Sequence, residues 1–263
     1  MKNKFLFLTV LVLTLSSCGE RQLGQGFNLF SINDDKELGK NVAEQIASQP
    51  QEYPILDSSR NVEAYRFLYQ MRDTILNAGN VRHKDDFLWQ LRIIHDDNTL
   101  NAFCTPGGYI YVYTGLMKYL DAEDQLAGVL AHEIAHADFR HSTRQMTRMF
   151  GVQTLLSIIA GDRAALQQVT GAIIGLRFSR NHETEADIGS VHYLCPTEYN
   201  AAGGAEFFKK LQGAGTARPP EFLSTHPNPE NRIETFYTEK LERGCRGEEN
   251  YDERYQAFLK TLP

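Results

Sequence analysis

Apolar residues recur along this chain with two different periods, and the changes of period mark the elements. From Asp34 to about Asn77 the spacing is helical, with an interruption at Tyr53-Pro54. Residues 87–95, 98–104 and 108–113 are instead rich in aromatic and β-branched residues. They are punctuated by Asp96-Asp97-Asn98 and Pro106-Gly107-Gly108, which predicts a small antiparallel sheet. Helical spacing returns at Leu126, Val129, Leu130 and Ile134 and predicts one helix from an N-cap at Asp121 to about residue 146. The run from Phe150 to Ala160, broken by Gly161-Asp162-Arg163 and resumed amphipathically from Ala164 to Leu176, predicts a helical hairpin. A last helix ends near Cys195-Pro196. The class expected is α+β, mainly helical, with the sheet next to the helix that follows Asp121.

The first residues have another character. Lys2 and Lys4 precede an apolar stretch from Phe5 to Leu15, and Leu15-Ser16-Ser17-Cys18 reads as a bacterial lipobox. The stretch is shorter than the ~20 residues a spanning helix requires. Residues 1–17 are therefore expected to be a lipoprotein signal peptide, Cys18 the lipidated residue, and 18–33 a polar, Gly-containing tether. Residues 34–263 are expected to form one domain, with no internal repeat and no appended repeat domain. At 263 residues with 42% apolar, the chain can bury a sizeable core, and a net charge of −6 gives no electrostatic case for nucleic-acid binding. The expected place is the cell envelope, held to the periplasmic side of the inner or outer membrane by lipid. Of the 4 cysteines, Cys195 and Cys245 lie outside the strands and are the expected bridge. Cys104 would remain beside the sheet edge.

Candidate chemistry enters at His132-Glu133-Ile134-Ala135-His136. Residues four apart lie on one face of a helix, so His132 and His136 can share one Zn²⁺ while Glu133 leans toward the remaining position. In a chain with 8 His, about 0.02 such motifs arise by chance. Two histidines leave a catalytic zinc one protein ligand short. The metzincin pattern places Gly and His where this chain has Phe139 and Ser142, so that class is excluded. His141, five residues after His136, falls about 140° around a continuous helix and is expected outside the ligand set, beside it or on the surface. Glu183 and Asp187, four apart in Ser179-Arg180-Asn181-His182-Glu183-Thr184-Glu185-Ala186-Asp187, can supply the third ligand and a carboxylate that fixes a histidine tautomer. Glu185 competes but points away from that face.

These blocks, with Asn101-Ala102-Phe103, Pro106-Gly107-Gly108-Tyr109, Ser179-Arg180, Ser224-Thr225-His226-Pro227 and Arg232-Ile233, resemble the zinc metallopeptidase family of HtpX and the CAAX prenyl endopeptidases, of gluzincin type. The resemblance is strongest to soluble periplasmic members such as beta-barrel assembly-enhancing proteases, here without a repeat domain. It covers roughly residues 34–240 in the family's order. It implies a zincin-like domain holding one Zn²⁺ per chain, with Glu183 as third ligand.

The expected chemistry is peptide hydrolysis. The metal lowers the pKa of a water toward ~7, and Glu133 takes its proton and returns it to the leaving amine. His226, before a helix begun by Asn228-Pro229, is the first candidate donor to the developing oxyanion, and alternatively a fourth zinc ligand in a resting state. Arg232 is a second candidate donor, or orients the loop. An exposed edge strand at Asn101, Ala102 and Phe103 would bind peptide through its main chain, with Tyr109, Tyr111 and Tyr113 either lining it or packing as an ordinary strand face. Arg140, Arg144 and Arg148 form a basic stripe, solvated or turned to anionic lipid, and the hairpin either packs over the core or gates access. Two functional readings follow. One is an endopeptidase that cleaves misfolded or stalled envelope proteins. The other is a chaperone-like assembly factor that holds such clients with little or latent proteolysis.

Overall fold

In the computed structural model, residues 23–213, 221–227 and 231–263 are described. The expected leader, Cys18 and Asn228-Pro229 lie outside them.

Helix α1 (Ile32–Ala47) begins at Ser31, whose hydroxyl accepts from the Asp34 N–H while the Asp34 carboxylate accepts from the Ser31 N–H. α2 (Val62–Ala78) follows an irregular segment that interrupts the helical pattern around Tyr53-Pro54, where Ile55 bridges to Ile94. Strands β1 (Gln90–Ile94), β2 (Ala102–Thr105) and β3 (Tyr109–Tyr113) form one sheet in the order β1-β3-β2. β2 pairs antiparallel to β3 through the Pro106-Gly107-Gly108 turn, where Gly107 and Gly108 take φ of 74° and 83°. β1 pairs parallel to β3, so the sheet is mixed rather than wholly antiparallel. The strand-length runs carry no record of direction. β3, inserted between β1 and β2, runs in the same sense as β1.

After α3 (Thr114–Tyr119) comes α4 (Glu123–Asp138), every residue of which is buried. It stacks on β2, on α8 (Arg180–Leu194) and on α9 (Gly203–Gly213). Gly128 permits the last of these contacts, since a Cβ there would lie 2.3 Å from the Gly204 backbone nitrogen. The expected single helix from Asp121 is cut in two. Ala122, not Asp121, occupies the N-cap, and Arg140 adopts φ 57° and ψ 37° before α5 (His141–Met149). A non-glycine residue in that region costs on the order of 1–3 kcal/mol and persists only when its surroundings hold it. Here Asp35 of α1 accepts from Arg140 Nε at 2.5 Å, and Phe30 O accepts from Nη2.

The hairpin appears as α6 (Val152–Ile159) and α7 (Arg163–Ile174), with α7 packed on α1. α10 (Phe222–Thr225), α11 (Arg232–Arg243) and α12 (Asp252–Leu259) complete the chain. The sheet separates two apolar clusters. Ala102, Cys104, Ile110 and Val112 face the one built with α2, α4, α8 and α9. Phe103, Tyr109, Tyr111 and Tyr113 face the other, shared with α1 and the hairpin, so the tyrosines pack as a buried strand face. Cys195 is bridged to Cys245, tying the end of α8 to the end of α11. No helix among the described residues is long and apolar enough to cross a membrane.

Candidate metal centre

His132 and His136 face one way from the middle of α4, and α8 crosses it to bring Glu183 opposite. α8 can start there because Ser179 caps it, its hydroxyl accepting from the His182 N–H at 3.2 Å. His132 Nε2 lies 3.5 Å from Glu183 Oε2, and His136 Nε2 lies 3.4 Å from Glu183 Oε1. His226, just past α10, closes the fourth side: its Nδ1 is 3.3 Å from Glu183 Oε1 and 3.4 Å from His132 Nε2. One ligand atom from each of the four falls within 4.8 Å of the others, and all four residues are buried.

These donors fit zinc. Bonds of 2.0–2.1 Å in a tetrahedron place ligand atoms ~3.3 Å apart; His132 Nε2 and His136 Nε2 are 2.9 Å apart, each of the three histidines comes within 3.3–3.5 Å of a Glu183 oxygen, and the whole set spans no more than 4.8 Å. Both Glu183 oxygens are buried without a hydrogen-bond partner among the described residues, an arrangement that calls for a cation. Charge points the same way. Burial opposes ionisation of Glu183, yet His226, His132 and His136 hold its carboxyl well below the usual range.

Further side chains hold these four residues in place. His132 Nδ1 donates to Asp187 Oδ1 at 2.9 Å. Burial disfavours charge on His132, but Asp187 and Glu183 outweigh it and push its pKa up to about 9. Arg232 reaches in from α11: its Nε donates to Asp187 Oδ2 at 2.7 Å, its Nη1 stands 3.2 Å from Glu183 Oε2, and the guanidinium lies over the Phe208 ring. Arg232 thus orients Asp187 and Glu183 from behind. On the other side, His136 Nδ1 is 2.9 Å from His141 Nδ1, and His141 Nε2 is 3.0 Å from Glu185 Oε2, which also accepts from Arg144. His141 therefore stands outside the ligand set but behind it, buried, and Glu185 points away from the Glu183 face. The basic stripe is not a solvated face: Arg140 and Arg144 are taken up by Asp35 and Glu185, and only Arg148 stays exposed.

Glu133 projects beside this cluster, its Oε1 3.5 Å from His226 Nε2. Burial raises its pKa, which suits a group that accepts a proton and passes it on. Cys104 lies against it. Burial, and then the Glu133 carboxylate, push the Cys104 thiol well up, so it stays protonated and unreactive.

Ala102 and Phe103 open β2, the strand packed on α4, with Asn101 just ahead of it, and all three are buried rather than on an exposed edge. Asn101 O accepts from the Tyr113 N–H, so by ladder alternation the main-chain groups of Ala102 and Cys104 face away from β3. His226 is tied to that edge, because the Phe222 N–H donates to Leu100 O and the His226 N–H to Phe222 O.

Two ring contacts have no counterpart in the expectations. Phe178 stacks on His136 with centroids 4.0 Å apart, and Phe222 on His226 at 4.4 Å. Phe178 directly precedes the cap Ser179 and Phe222 stands one turn before His226. An aromatic beside a known ligand segment was the only available signal for either.

Comparison with known proteins places the chain. Residues 65–240 match the family described as Peptidase family M48. The chain is 34% identical over 157 residues to the beta-barrel assembly-enhancing protease of Escherichia coli (strain K12), covering 54% of this chain and 32% of that one. It is 29% identical over 221 residues to the protein of that name from Yersinia pestis, covering 77% and 43%. The mitochondrial metalloendopeptidase OMA1 of Schizosaccharomyces pombe is 28% identical over 215 residues, covering 79% and 61%. The matched stretch spans less than two thirds of each of these relatives.

Proposed function

From the premise that this chain belongs to peptidase family M48, we propose that it is a zinc-dependent endopeptidase of the bacterial cell envelope, lipid-anchored through Cys18, that cleaves misfolded or unassembled proteins. The observation that carries the catalytic part is the convergence of His132, His136, Glu183 and His226 on one buried point with Glu133 beside it. The names of the relatives, a beta-barrel assembly-enhancing protease among them, support the quality-control part.

His132, His136 and Glu183 would hold one zinc, which when bound would supply the Lewis acidity that lowers the pKa of water and polarises a carbonyl. Glu133 takes the proton of the attacking water and delivers it to the leaving amine. Asp187 and His141 keep His132 and His136 in the tautomers that present Nε2, and Arg232 keeps Asp187 in place. The main-chain groups of Ala102 and Cys104 that face away from β3 would pair with an extended substrate once that buried edge is uncovered, which favours unfolded segments over any one sequence.

Of the two roles open to His226, the resting ligand is supported by its Nδ1 standing 3.3 Å from Glu183 Oε1 and 3.4 Å from His132 Nε2, where it would share a bound zinc in place of water. Hydrolysis then requires the segment from Phe222 to His226 to withdraw, and until it does the enzyme is latent. That same closure is what favours the second reading, a client-holding factor with little proteolysis.

The test compares wild type with Glu133→Gln on an unfolded protein substrate, with bound zinc quantified in both. Loss of cleavage at equal zinc occupancy supports the peptidase. Cleavage by the Gln variant at the wild-type rate refutes it.

A further inference from the structure

Residues 23–31, within the stretch expected to be a tether, are held against the body. Leu23 is buried and its carbonyl accepts from Arg82 Nη2, Gln25 O accepts from Arg144, and Asn28 Nδ2 donates to Thr143 Oγ1 at 3.0 Å. The Leu29 N–H donates to Thr147 Oγ1 at 3.2 Å. Residues 23–31 thus lie along α5 as part of the body.

This bears on orientation. Four residues lie between Cys18 and Leu23, and even fully extended the five Cα–Cα steps reach only ~17 Å. A body of this size has a radius of gyration of ~18 Å and measures about 45 Å across. If Cys18 carries lipid, the far side of the protein cannot reach the bilayer, and the side around Leu23 and α5 must.

That side has the composition for it. Among the described residues eight large apolar side chains are exposed, and four of them are here: Phe27, 74% exposed, and Met149, Val152 and Leu156, 56%, 61% and 52%. Phe27 precedes the two residues bonded to Thr143 and Thr147, Met149 ends that helix, and Val152 and Leu156 share a face of α6, one turn apart. Charge agrees. Residues 23–33 and 139–161 contain no Asp or Glu, where about four would fall at the average of a chain with 33 acids in 263 residues, and Arg148 is exposed among them.

We propose that the face bearing Phe27, Met149, Val152, Leu156 and Arg148 rests on the membrane, its apolar side chains at the headgroup boundary and Arg148 among anionic headgroups. This rests on the lipid anchor proposed above. It gives the hairpin's outer face a role in fixing how the catalytic domain stands on the bilayer.

The experiment uses the full chain, extracted from membranes and returned to vesicles of phosphatidylethanolamine and phosphatidylglycerol. Spin labels are placed singly through Phe27→Cys, Leu156→Cys and, as the control, Leu241→Cys, an apolar residue on α11 that is 82% exposed. Acylation at Cys18 is read by mass in the same samples. With Cys18 acylated, labels at 27 and 156 should collide severalfold more with oxygen, which concentrates in lipid, relative to a water-soluble nickel chelate, than the label at 241. Acylated protein in which the three labels respond alike overturns the proposed face while leaving the anchor standing. Protein with Cys18 unmodified overturns the anchor, and the orientation with it.

Discussion

His141 Nδ1 lies 2.9 Å from His136 Nδ1 although the two residues stand on different helices, because the left-handed turn at Arg140 folds α5 back beneath α4. On a continuous helix the two rings would diverge. The kink instead makes a chain from His136 through His141 to Glu185 and Arg144. With His136 Nε2 committed to metal, its Nδ1–H donates to His141, whose Nε2–H donates to Glu185.

Removing that support should loosen the metal without removing a ligand. His141→Ala is expected to weaken zinc retention by about 10- to 100-fold. His141→Asn, whose Oδ1 can accept from the same position, should recover part of the loss. Competition with a chromophoric chelator measures both. Equal affinity in wild type and His141→Ala would show that His136 is held by other contacts.

Arg232 is buried against two carboxylates, and replacing one partner of a buried pair costs about 3–5 kcal/mol because the other charge is stranded. Arg232→Met should therefore lower the melting temperature. The loss should be larger in metal-free than in zinc-loaded protein, since a cation beside Glu183 offsets part of the missing charge. Calorimetry with and without a chelator decides it. The opposite ranking would place Arg232 outside the metal's electrostatic environment.

Asp124, in the first turn of α4, has one carboxylate oxygen buried without a partner among the described residues, and burial raises its pKa from 3.8 to about 6. The folded-state value lies above the unfolded one. The associated stability is therefore full below about pH 4 and is lost as pH rises through about 6, amounting to ~3 kcal/mol. Asp124→Asn is expected to be more stable than wild type at pH 8, by up to that amount, and no more stable at pH 4. Urea unfolding at the two pH values tests it; a difference independent of pH would mean that packing, not ionisation, separates the two.

The bridge from Cys195 to Cys245 closes a separation of 50 residues, worth about 4 kcal/mol in the chain-entropy picture. Cys245→Ser should lose on that order of stability while binding zinc as wild type does, since neither cysteine belongs to the cluster of ligands. Denaturant midpoints and zinc stoichiometry, measured together, separate the two effects.

Sequence by itself determined whatever depends on spacing within one element. Helical geometry puts residues four apart on one face whatever lies around them, so His132 with His136 and Glu183 with Asp187 were legible. So were the hairpin and the strand-forming runs, and, for the separate reason that both lie outside the strands, the pairing of Cys195 with Cys245. Tertiary structure decided what depends on partners distant in sequence. Arg140 breaks the helix because Asp35 and the carbonyl of Phe30, over a hundred residues away, hold it in the left-handed region. β1 runs parallel to β3, Arg232 turns to Asp187, and His226 reaches the fourth corner because the Phe222 N–H donates to Leu100 O and the Phe178 N–H, ahead of α8, donates to Thr225 O. The stretch before α1 reads as a polar tether, yet it packs because α5 offers Thr143, Arg144 and Thr147 as partners. Periodicity records which face of an element is apolar, and it carries no record of which other element will supply a charge or a hydrogen bond.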